Sequence, residues 1–111
     1  MPEDTGQKEY HMKLGILVNT DRNLAHILGV TKAAIESGHE VIIFNMDEGV
    51  RLFREPAFRD LCNTKGVSMS FCDHSTHVLN VSKEGIPKEI ICGSQYNNAV
   101  MNHDADRIIV L

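Results

Sequence analysis

Tryptophan is missing from this 111-residue sequence, and aromatic residues make up only 5% of it. A broad surface for stacking bases or flat cofactors is therefore not expected. Basic runs are missing too, and the formal net charge of −4 disfavours attraction to a phosphate backbone, so nucleic acid is not an expected partner. No stretch approaches the roughly eighteen apolar residues that read as a membrane span. The opening twelve residues, MPEDTGQKEYHM, lack the apolar core of a secretory leader. The expectation is a cytoplasmic protein with no membrane partner and a flexible N-terminal tail over residues 1–12. Cysteine is scarce and odd in number, at Cys62, Cys72 and Cys92, which points to free thiols rather than a disulfide framework.

Familiar signatures are also absent. There is no G-x-G-x-x-G, no P-loop, no G-x-S-x-G elbow and no thioredoxin-type C-x-x-C. A phosphoacceptor receiver domain would need paired acidic residues after its first strand and an aspartate ending its third. Those places hold Asn19-Thr20-Asp21 and Cys72.

What is present is an alternation of short apolar runs with helical segments. KLGILVN from Lys13 and EVIIFN from Glu40 are nearly continuous apolar runs, as strands buried on both faces require. Between them, Thr20 and Asp21 offer capping side chains, Leu24, Ile27, Leu28, Thr31 and Ile35 keep helical spacing, and Gly38 is placed to end the helix. After MDEGV, read as a turn, Pro56 opens a second helix with Phe58, Leu61 and Cys62 inward, stopped by Gly66. VSMSFC sets Val67, Met69 and Phe71 on one strand face and Ser68, Ser70 and Cys72 on the other. A third helix is expected from about Ser75 to Lys83 with Val78 and Leu79 buried. EIICG reads as a short fourth strand, Ser94 as the cap of a helix through Tyr96, Ala99 and Val100, and RIIVL as the last strand. Five alternations with short connections predict a single α/β domain over residues 13–111. It would hold a five-stranded, mainly parallel sheet in flavodoxin-like order, with helices on both faces.

Sites in such sheets form at the carboxyl ends of the strands. Cys72-Asp73-His74 ends the third strand and Cys92-Gly93-Ser94 the fourth, whereas Cys62 reads as a small core residue. A thiol at a strand-to-helix junction meets the positive end of the helix dipole and unpaired backbone N–H groups, both of which favour the thiolate. Cys72 is thus the candidate nucleophile, set against the plain reading of a small buried residue. Cys92 reads either as loop packing or, if the third and fourth strands are neighbours, as a second relay or resolving thiol. His74 and His77 are three apart, so Cys72, His74 and His77 also form a candidate metal set, with His103 or Cys92 as a fourth ligand. His11, His26 and His39 read as solvent-exposed.

With these features placed, the chain resembles the DsrE/DsrF-like family, which includes the small sulfur-relay proteins of the DsrE and TusD type. The resemblance covers nearly all of Lys13 to Leu111. It rests on KLGILVNTD, FNMDEGVRLF, the thiol ending the third strand in SMSFCDHS, and the close GSQYNNAVMNHDADRIIVL. It implies a five-stranded α/β fold assembling into trimers or hexamers. It also implies a cysteine, carried over to Cys72 alone, that accepts sulfane sulfur as a persulfide and passes it to a partner. That chemistry requires no organic cofactor and no metal. Some members of the family are subunits without a working thiol, so a non-catalytic scaffold is the alternative implied.

Overall fold

The computed structural model describes residues 11–111; most of the expected tail lies outside them. His11 and Met12 are already tied to the sheet, since Glu40 N–H donates to the Met12 carbonyl at 2.9 Å and Met12 N–H to His39 Nδ1 at 3.1 Å.

Five strands form one all-parallel sheet: β1 (Lys13–Val18), β2 (Glu40–Asn45), β3 (Val67–Cys72), β4 (Ile91–Gly93) and β5 (Arg107–Val110). The helices are α1 (Leu24–Glu36), α2 (Pro56–Arg59), α3 (Asp73–Val78) and α4 (Gln95–Asp104). The layered α/β arrangement and the adjacency of the third and fourth strands are those expected. The strand order is β4-β3-β2-β1-β5, so β2 lies between β1 and β3. In flavodoxin's own 2-1-3-4-5 order it would lie at the edge.

That order decides how the faces are covered. Steps from β1 to β4 all run one way across the sheet, so right-handed crossovers put their helices on one face. Only the return from β4 to β5 crosses the other. On the first face Ile16, Val18, Val41, Ile43, Met69 and Phe71 pack with Ile27 of α1 and with Phe53 and Phe58. Phe71 meets Phe53 at 5.2 Å between ring centroids, and Phe53 meets Phe58 at 5.4 Å. Burying such side chains contributes roughly 1.5–3 kcal/mol each. Among the described residues the second face has α4 alone, where Met101 packs on Phe44 and Cys72.

Three local expectations change. Thr20 and Asp21 do not cap α1: its N-cap is Asn23, without a side-chain bond, and Thr20 Oγ1 accepts from Arg22 N–H instead. MDEGV is no simple turn but opens a 3-10 helix, Asp47–Arg54, that buries Val50, Leu52 and Phe53. Gly49 makes this possible, since a β-carbon there would lie 2.1 Å from the Val18 carbonyl oxygen. The helix after β3 starts earlier than expected, with Cys72 as its N-cap, and ends earlier too, since Asn80 takes a left-handed φ of 55°. Leu79 packs against the core, but Val78 is 65% exposed rather than buried.

Candidate functional site

At the carboxyl edge, β3 runs into α3 on one face and β4 into α4 on the other. The two connections part between Cys72 and Gly93, which pair in register. A crevice at such a topological switch point is where open α/β sheets bind ligands.

Cys72 is the N-cap residue of α3. Its side chain follows Ser68 and Ser70 onto the α4 face, where it is 4% exposed and packs with Phe44 and Met101. Met46, in the loop after β2, packs against the same cluster. Gln95 Nε2 reaches Met46 Sδ at 3.7 Å, joining the first turn of α4 to that loop. The start of α4 is well fixed: Ser94 Oγ accepts from Tyr96 N–H at 3.2 Å and Asn97 Oδ1 accepts from Ser94 N–H at 3.0 Å, a capping box. The sulfur is thus buried under apolar side chains at the start of α3, one strand away from the start of α4.

Cys92 is placed differently. It pairs in register with Phe71, so it lies on the opposite face of the sheet from Cys72. A disulfide needs facing β-carbons, so the two cannot serve as nucleophile and resolving thiol without rearrangement of the edge. Cys92 is exposed and donates to Asp73. Burial first, and then that hydrogen bond and the charge of Asp73, raise its pKa, with Lys83 opposing them. Asp73 itself is held down at about 2, first by the hydrogen bond from Lys83 Nζ, at 2.8 Å, and further by those from Thr76 and Cys92. Cys62 is half-buried against the main core, as expected, and burial followed by the charges of Glu89 and Asp60 raises its pKa.

The candidate metal set does not assemble. Cys72 faces α4, whereas His77 Nε2 lies 3.3 Å from Asp73 Oδ2 and His74 lines a depression with Asp47, Glu48 and Ser75. Among the described residues no three His, Cys, Asp or Glu side chains gather into a metal-holding cluster. Of the other histidines, His26 is exposed; His11, also exposed, bonds the Gly38 carbonyl and Glu40, and half-buried His39 accepts from Met12. Asn97 and Met46 escaped sequence reasoning. The Ser94-x-x-Asn97 spacing carried a signal for the first; nothing local marked the second.

No helix among the described residues is long and apolar enough to cross a membrane. No family model and no curated protein matches the sequence. In structure the chain is similar to the ychN protein from E. coli, with a TM-score of 0.67 over 91% of this chain and 99% of that one, at 12% identity. That protein has a DsrE/DsrF-like fold, and this is the fold the present chain shares.

Proposed function

We propose that the chain is a cytoplasmic sulfur carrier that accepts sulfane sulfur as a persulfide on Cys72 and passes it to a partner protein. The observation that carries this reading is the place of Cys72: a free, buried thiol at the carboxyl end of β3, the N-cap of α3, paired in register with Gly93 just before α4. In the transfer, the Cys72 thiolate attacks the outer sulfur of a donor persulfide, R–S–SH. A bond forms between Cys72 Sγ and that sulfur, the donor's S–S bond breaks, and its electron pair leaves on R–S⁻. Charge and sulfur balance with no external oxidant, as in thiol–disulfide exchange. Release to an acceptor thiolate repeats the step. The apolar packing of Phe44, Met46 and Met101 shelters the loaded sulfur from small thiols. Cys92 is more accessible, but burial first and then its interaction with Asp73 favour the protonated, less nucleophilic form.

The same reading includes donor and acceptor proteins and a homo-oligomer, a trimer or hexamer, as partners. The α4 face supports assembly, because Ile91 is 56%, Tyr96 73% and Val100 38% exposed beside a sheet face that a single helix covers. Parallel sheets ordinarily bury both faces. A scaffold subunit is the alternative that the 4% exposure of Cys72 favours.

Intact-mass spectrometry after incubation with a sulfane-sulfur donor separates the two. A gain of one sulfur in wild type, retained in Cys92→Ser and lost in Cys72→Ser, is the expected result. No gain at Cys72 in the wild type would leave the scaffold role.

A further inference from the structure

We propose that the cleft between α1 and the 3-10 turn Asp60–Asn63 binds a small neutral molecule, apolar but for one hydroxyl or carbonyl, which hydrogen-bonds to Thr31. The cleft lies on the main-core face of the sheet, opposite the face that carries the Cys72 side chain. The inference therefore stands apart from the persulfide reading. Its volume of about 430 Å³ falls within the roughly 300–1,000 Å³ of small-molecule sites. Leu28, Thr31 and Ile35 stand three and four residues apart on α1 and so share one face of the helix. Leu61 of the 3-10 turn forms the facing wall.

Thr31 is what makes this cleft more than a gap in the surface. It lines the cavity while only 1% exposed, and its hydroxyl has no hydrogen-bond partner among the described residues. A helical threonine ordinarily satisfies its hydroxyl on the carbonyl one turn back, and that bond is not made here. Burying a polar atom without a partner is unfavourable, and valine would fill the same space without that cost. A hydroxyl both donates and accepts, so a bound alcohol, phenol or ketone would satisfy it. The rim sets the charge of the ligand. Lys32 and Glu36, one turn apart and both exposed, place opposite charges at the mouth and favour neither an anion nor a cation. Aliphatic walls from Leu28, Ile35 and Leu61, with one neutral polar group at depth, suit a ring-bearing molecule with a single polar group at its buried end.

The test follows methyl and amide NMR signals of the full chain as phenol or toluene is added, two probes of similar size of which only phenol has a hydroxyl. The expected result is saturable shifts centred on Leu28, Thr31, Ile35 and Leu61. Phenol should bind roughly tenfold more tightly than toluene, the worth of about one hydrogen bond. Thr31→Val should abolish that preference while leaving toluene binding in place, and Thr31→Ser, which keeps the hydroxyl, should retain it. Equal affinity for the two probes in the wild type, or a preference for phenol that survives Thr31→Val, would overturn the role of Thr31. Absence of saturable shifts at the cleft with millimolar probe would overturn the site itself. The two probes compared on the unsubstituted chain decide the matter even where a variant does not fold.

Discussion

At Cys92 the Asp73 carboxylate faces two ways: it accepts from the thiol and raises its pKa, and it accepts from Lys83 and is lowered to about 2. Asp73→Asn should bring the Cys92 pKa down towards the ordinary value of about 8.5. Its alkylation at pH 8 should then quicken about threefold by peptide mapping; an unchanged rate would show that burial alone sets the thiol. The carboxylate's own contribution has a definite sign. With its folded pKa depressed, the stabilisation is present above the unfolded value of about 3.9 and is lost as pH falls through about 2. Thr31 gives a residue-scale prediction of the opposite kind. Its hydroxyl is buried in α1 without a partner among the described residues, so Thr31→Val, nearly the same shape, should stabilise the fold by about 1 kcal/mol. Urea denaturation measures this, and a loss of stability would mean that the hydroxyl has an ordered partner.

Among the elements, those whose cause lies within a few residues were legible in the sequence. The apolar runs gave β1, β2 and β5, and Gly38 follows the end of α1 at a φ of 87°; Gly66, at 95°, does not stop the helix from Pro56, which ends at Arg59 and gives way to a 3-10 turn over Asp60–Asn63. Ser94 caps α4 as its position suggested. The 3-10 helix Asp47–Arg54 was not legible, because its causes are distant: Gly49 fits under the Val18 carbonyl, and buried Asn45 donates to the Gly49 carbonyl at 2.8 Å. The site was legible in part. Alternation in VSMSFC set Cys72 on the face opposite Phe71, but only the β3–β4 register puts Cys92 beside Phe71 and away from Cys72. Nor does periodicity reveal that Met46 and Gln95 meet.

For the whole molecule, strand order governs the outcome, since one face carries most of the core and the other a single helix. If the exposed apolar residues on that second face are where copies associate, Val100→Lys should convert the wild-type oligomer to monomers in sedimentation without lowering the helical signal. A wild type that sediments as a monomer at working concentration would defeat the assembly. The all-parallel sheet and its α/β class followed from the alternating pattern; the order did not, because helices of these lengths bridge either arrangement.

The edge strand β4 is held to β3 over only three residue pairs, and one of them is Cys72 with Gly93. Short edge elements open at low free energy, well before the whole domain unfolds. Labelling of Cys72 is then expected to follow the opening of that edge, at a rate equal to the open fraction multiplied by the rate of a free thiol; a rate that tracks unfolding of the whole domain would show instead that α4 alone covers the sulfur. The chain thus carries its own clock for edge-strand opening. A partner that clamps β4 would silence Cys72, and one that peels β4 back would expose it, without touching the sulfur in either case.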